Sequence, residues 1–182
     1  QIEFSDIILE SKTSINQLQG EIMALLGRFE DAKEVFTEAQ KGALELKNIP
    51  IQAEVLSALA DIALKQGNLE DALSMHNEAL KNFIELGDAK GAARSYNNMG
   101  YLLRRKNDRS KALESYGEVE AILEQNDGVE LISAQLILAR SFLDLGEIER
   151  ARKHALDAFE KSDNSENHQI HARAQAVLGR YH

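Results

Sequence analysis

Apolar residues recur along the chain at spacings of three and four, the signature of amphipathic helices. Near the start, Ile8, Ser11, Ile15, Leu18, Ile22 and Leu25 follow this rhythm and predict one long helix from about Ser5 through Leu26. Leu56, Leu59 and Ala63 predict another over roughly Ala53 to Gln66. The stretch "GNLEDALSMHNEAL", Gly67 to Leu80, predicts a third, with bulk from Leu69, Leu73 and Leu80 and two small residues, Ala72 and Ala79. Gly67 stands between the last two helices, where a residue free to adopt positive φ closes a helix without Cβ strain. Asn68 is a good N-cap residue, and Asp71 follows in the first turn.

The pattern then repeats. The glycine position before the second helix runs Gly27, Gly67, Asn107, Gly146, in steps of 40, 40 and 39. Asparagine is the residue best able to replace glycine there. The next alanines, Ala32, Ala72, Ala112 and Ala151, keep the same steps. So do Gly20, Ala60, Gly100, Ala139 and Gly179 in the first helices, and Ala39, Ala79, Val119 and Ala158 in the second. Recurrence of small residues at one phase predicts close helix crossings, since interaxial distances of about 8–10 Å depend on the side chains at the contact. The segments between units, "LKNIP", "LGDAKG", "QNDGVE" and "SDNSENHQ", are short and polar and are expected to be turns.

These features resemble the tetratricopeptide repeat: the small residue of the first helix, the inter-helix glycine and the two alanines of the second. The unit length is similar to the longer variety of about 40 residues, as in kinesin light chains, Pins-type polarity adaptors and bacterial peptide-sensing regulators. The resemblance implies an all-α, right-handed superhelical solenoid of antiparallel helix pairs. It divides the chain into repeats at 13–52, 53–92, 93–131 and 132–171, with 172–182 ("ARAQAVLGRYH") as the first helix of a fifth. Departures are plain. The family's first-helix tryptophan is replaced by Asn16, Leu56, Tyr96 and Gln135. Its second-helix aromatic is kept as Phe36 and Tyr116 but becomes His76 and Ala155, and the closing proline is missing.

Composition narrows the function. Of 182 residues, 43% are hydrophobic and 28% charged, ordinary for a folded chain, and Pro50 is the one proline, so long helices are permitted. A net charge of −9 argues against the chain as a whole seeking nucleic acid, whose binding rests on phosphate neutralisation. Without cysteine, disulfides and thiolate metal sites are excluded, which fits a cytoplasmic protein. No apolar run reaches bilayer-spanning length and no signal peptide is visible, although the first residue is Gln1 rather than methionine.

No catalytic constellation stands out, and the chain is expected to be neither an enzyme nor cofactor-dependent. His168 and His171 are three apart, a spacing open to metal ligation, but without a third ligand they read as a solvated linker. His76, in the place of the family's packing aromatic, reads as a half-buried packing histidine. Glycines follow the repeat and never cluster into a phosphate loop. The basic run "RRKNDRSK", Arg104 to Lys111, reads as a solvated turn, because no aromatic interleaves it.

In the family the first helices line a concave groove. Carried onto this chain by repeat phase, groove positions fall at Ser14, Gln17 and Glu21, then Glu54, Ser57 and Asp61. They continue at Arg94, Asn97, Tyr101 and Arg104 with Asn98 beside them, then Ser133, Leu136 and Arg140, and finally Arg173 and Arg180. The series turns from acidic to basic. Asparagine can bond both sides of an extended peptide, and arginine can grip a carboxylate bidentately. The expectation is a groove that binds a protein or peptide, with acidic residues or a C-terminal carboxylate in its basic half. The family's clamp for chaperone tails is not met in either register, Gln17, Glu21, Ala58, Arg94, Asn98 or Ser57, Asp61, Asn98, Ser133, Ile137. The alternatives are a self-association module, with the terminal helix stacking on a second copy, or a regulatory segment of a larger signalling or transcription protein.

Overall fold

The structure, a computed structural model, describes residues 4–126, 128, 131–163, 172, 175–177 and 179. Eight helices are defined among these residues: α1 (Phe4–Leu25), α2 (Phe29–Glu45), α3 (Ile49–Lys65), α4 (Leu69–Leu86), α5 (Ala89–Arg105), α6 (Arg109–Gln125), α7 (Ile132–Asp144) and α8 (Ile148–Asp163). No strand occurs among the described residues. They fall into two compact units, Gln1–Asp88 and Ala89–His182.

In the first unit α1 packs on α2 and α3 on α4, and both α1 and α2 touch α3. The turns follow from backbone chemistry. At the end of α3, Gly67 has φ 84°. Its N–H donates to Leu64 O at 3.1 Å and that of Asn68 to Ala63 O at 2.9 Å. This bond pair satisfies carbonyls that the helix end would leave open. α3 begins at Ile49, four residues before the expected start at Ala53. The Asn48 side chain accepts from Ile51 N, and Pro50 occupies the first turn, where a missing N–H costs nothing. The core of this unit joins Ala32, Phe36 and Ala39 of α2 to Val55, Leu59 and Ile62 of α3. Burial of this apolar set is the main force holding the hairpins together.

In the second unit α5 packs on α6 and α7 on α8, while α5 and α6 both touch α7. α5 begins at Ala89, so most of "GDAKG" is helix rather than turn; Gly87 alone takes the left-handed conformation. The α5–α6 turn repeats the α3–α4 bond pattern with Asn107 at φ 60° in the place of glycine. Asp108 caps α6 by accepting from Lys111 N at 3.2 Å. Phe142 of α7 lies edge-on to Tyr116 and stacked on His154, each at a ring distance of 5.8 Å.

The predicted crossing residues are interior. Ala32, Ala39, Ala72, Ala79, Ala112, Val119, Ala151 and Ala158 are all 0% exposed. A Cβ added to Gly20 would lie 2.7 Å from the Phe36 ring, and one on Gly100 would lie 2.3 Å from that of Tyr116. Gly179, the last member of its series, is exposed. Of the proposed fifth first helix, Val177 packs on the cluster of Ile132, Leu136 and Ala158.

Candidate functional site

Burial on the first helices defines a repeating outward stripe. On α5 it comprises Arg94 and Asn98, half-buried, with Tyr101 and Arg105, exposed. Thirty-nine residues on, α7 presents Ser133, half-buried, then Ile137, Arg140 and Asp144, exposed. On α1 the same phase gives Ser14, Leu18, Glu21 and Leu25, all exposed, and on α3 Glu54, Ala58 and Asp61, half-buried, with Lys65 exposed. The stripe advances by four, three and four, as one face of a 3.6-residue helix must.

The expected groove positions agree at the first and third places of the stripe and slip by one between them. Ser57, Asn97 and Leu136 are 2%, 1% and 3% exposed, so they are corrected to Ala58, Asn98 and Ile137. A first helix is covered by its own partner and by its neighbours, which leaves only a narrow arc for solvent. Asn97 is on the wrong side of that arc. Its Nδ2 donates to Ala134 O of α7 at 3.2 Å, which makes it a strut between α5 and α7. Arg104 is also partly committed. Its guanidinium lies 3.4 Å from Asp144 Oδ2 and 5.4 Å from the centre of the Tyr101 ring. Arg94, Asn98, Tyr101 and Arg140 stay on the stripe, with Arg105 added to them. Arg173 and Arg180 lie outside the described residues.

The basic run Arg104 to Lys111 is more engaged than a solvated turn. Besides the Arg104–Asp144 pair, Arg109 donates to Leu145 O and pairs with Glu147 at 2.8 Å, so it braces the following α7–α8 turn. His76 is wholly buried rather than half-buried, its Nε2 3.4 Å from Asp61 Oδ1. His168 and His171 lie outside the described residues. Among the described residues, no three of His, Asp and Glu gather as a metal site would require, and no helix is long and apolar enough to cross a membrane.

One polar cluster went unread in the sequence. Glu120 of α6 receives Arg150 and His154 of α8, the latter through Nε2 at 2.8 Å. Burial works to raise the Glu120 carboxyl, but the hydrogen bonds and charges of Arg150 and His154 outweigh it and hold the carboxyl below its ordinary range. The three residues are far apart in the chain, so no local spacing announces them. The available signal was His154 itself, at a repeat position that elsewhere holds Val35, Met75 and Ser115.

Comparison with known proteins bears on the same elements. A family model described as tetratricopeptide repeat matches residues 51–125, which is α3 through α6. The 43 kDa receptor-associated protein of the synapse from Tetronarce californica is 27% identical over 143 residues, covering 78% of this chain and 34% of that protein. The chain therefore spans about a third of the length of this curated relative. Aspartyl phosphate phosphatase F from Bacillus subtilis has a similar structure, with TM-score 0.79 and 16% identity over 94% of this chain and 45% of that one. A Podosopora anserina protein of nearly identical TPR-like repeats, described as a kinesin light chain, gives TM-score 0.68 and 15% identity over 99% of this chain and 87% of its own. The hairpins outside the matched segment, α1–α2 and α7–α8, bury small residues at the same phase as those within it. Residues 51–125 thus match the tetratricopeptide repeat in sequence, and the fold of the chain is similar to that of TPR-like repeats.

Proposed function

We propose that the chain is a non-catalytic interaction module whose α5–α7 face binds an acidic segment of a partner protein. Helical repeats of this kind serve protein recognition, and their stacked first helices supply an extended surface. One observation carries the acidic preference. The outward stripes of α5 and α7 hold Arg94, Arg105 and Arg140, with Arg104 alongside, against the single carboxylate of Asp144. Tyr101 and Ile137, both exposed, add apolar surface to the same stripes. Guanidinium groups bind carboxylates through two parallel hydrogen bonds, and a local excess of one sign attracts the opposite sign despite the net charge of −9. The cysteine-free composition suits a cytoplasmic adaptor.

The test is fluorescence anisotropy with a labelled decapeptide alternating Glu and Leu, and the same peptide with Gln for Glu as control. Arg94→Glu/Arg140→Glu is expected to weaken binding of the acidic peptide at least about tenfold, or 1.4 kcal/mol, while the chain stays folded by circular dichroism. Equal affinity in parent and variant refutes the assignment.

A second function is favoured by one side of α1. Ile15 and Ile22 are 55% and 49% exposed, whereas their repeat equivalents Val55 and Ile62 are 0% and 3% exposed. An apolar face of this kind suits self-association with a second copy.

A further inference from the structure

We propose that α1 is one strand of a parallel two-stranded coiled coil whose other strand is the α1 of a second copy of this chain. The inference rests on the self-association read from Ile15 and Ile22 and gives it a geometry. Written as heptads, α1 places Ile8, Ile15 and Ile22 at a, and Phe4, Ser11, Leu18 and Leu25 at d. All seven are exposed. The opposite side of the helix faces the protein. Thr13 and Gly20, at f, are buried, and Leu9, Asn16 and Met23, at b, are half-buried. Gly20 meets the Phe36 ring of α2, and Met23 packs on the cluster formed by α2 and α3. At 3.6 residues per turn, f lies across the helix from the a/d seam. α2 and α3 therefore back the helix while the seam stays open, and two copies can join there with their first units turned away from each other.

A single facing helix fits this seam better than another helix pair does. In the later first helices the a phase is interior, where it holds Val55, Ile62 and Leu102. Their d phase lies on the outward stripe and ends in Lys65, Arg105 and Asp144. Stacking of one repeat on the next thus covers a and leaves d to water. Among the described first helices, α1 alone carries large apolar residues in both rows. Knobs-into-holes packing against one helix covers both rows at once, and isoleucine at a with leucine at d selects two parallel strands. With 22 residues, α1 spans about three heptads, the length at which such a pattern defines a coiled coil. The flanks agree. In a parallel pair each g residue meets the e residue five positions on in the other strand, so Ile7 meets Lys12, Ser14 meets Gln19 and Glu21 meets Leu26. No like charges face each other, and the Lys12 methylenes can cover Ile7. Ser11, the one polar residue of the seam, meets its own copy in a parallel pair, where hydroxyl can donate to hydroxyl. An antiparallel pair centred on Ile15 and Leu18 sets that hydroxyl against Ile22, a costly burial.

The experiment uses the full chain, which has no cysteine of its own. Ser11→Cys places a thiol on the seam, and Glu10→Cys places one off it, at c. In a glutathione redox buffer, Ser11→Cys is expected to form a disulfide-linked dimer at least about tenfold faster than Glu10→Cys, because parallel strands in register bring equivalent residues within disulfide reach. Light scattering should give a dimer for the parent and a monomer for Leu18→Glu/Leu25→Glu, which alters two exposed residues and should keep its helix content by circular dichroism. Ser11→Leu, which completes the d row, should lower the dimer dissociation constant at least about tenfold. Cross-linking of Ser11→Cys to Ile22→Cys but not to itself would mean antiparallel strands and overturn the geometry. A dimer that survives Leu18→Glu/Leu25→Glu would overturn the coiled coil and leave self-association standing. A monomeric parent would remove both and hand the α1 face to a different polypeptide.

Discussion

At Gly100 the space for a methyl group is taken by Tyr116, and at Gly20 it is taken by Phe36. The repeat extends this into a volume rule. Where the second helix carries the smaller His76 the first helix has Ala60, and Ala155 goes with Ala139; all four are 0% exposed. Size lost on one helix is returned by the other, as close-packed interiors require. Gly100→Ala is therefore expected to cost about 1–3 kcal/mol by overpacking. Tyr116→His should relieve it by imitating the second repeat. In urea unfolding, the double variant should be less destabilised than the sum of the singles by about 1 kcal/mol. Strict additivity would show that the two positions do not share the space. The small residues were legible because their period is long and regular. The partner of each was not, because pairing is a property of packed helices and leaves no mark on either helix alone.

Among the elements, α6 and α8 show how much one polar cluster can decide. The Arg150 guanidinium lies 4.0 Å from the Phe142 ring centre while it grips Glu120, and His154 stacks on the same Phe142 ring. Loss of the charge in Glu120→Gln should cost about 2 kcal/mol at pH 7, as for hydrogen bonds to ionised groups. The folded carboxyl titrates below its ordinary value of 4.5, so its contribution is complete above that value and is lost as the pH falls through the folded one. The stability gap between parent and variant should thus shrink on acidification below that range. A gap in urea midpoints as wide at pH 3 as at pH 7 would contradict this. Helix boundaries show the same division between local and distant causes. The start of α3 at Ile49 follows from Asn48 and Pro50, signals present in the sequence, whereas the burial of Ser57, Asn97 and Leu136 depends on which neighbour covers which arc.

At the scale of the molecule, the apolar side of α1 stands out among the described residues: Phe4, Ile8, Ile15 and Ile22 are each about half exposed or more. Net charge of −9 opposes association between copies, most strongly at low salt. Burial of the exposed apolar surface favours it, by roughly 25 cal/mol per Å² removed from water. Self-association through α1 should therefore strengthen as salt screens the repulsion. Light scattering over a dilution series at low and high salt is expected to show a mass that rises with concentration, more steeply at high salt. Ile15→Glu/Ile22→Glu should return the chain to a single constant mass. A parent chain of constant mass under all these conditions would remove the self-association function and leave the α5–α7 site untouched.

The class of the fold, the period of about 40 residues, the turns at Gly67 and Asn107 and most of the crossing residues were already written along the chain. All of these rest on local backbone preference or on recurrence, and both are written along one dimension. Packing settled the rest: Asn97 is a strut, Arg104 is drawn to Asp144, Glu120 gathers Arg150 and His154, and Ala58 lines a cavity with Glu21 and Asp61. Each depends on side chains from separate helices meeting in space. A helix fixes the direction of its own side chains, but its neighbours decide which of those directions still face water.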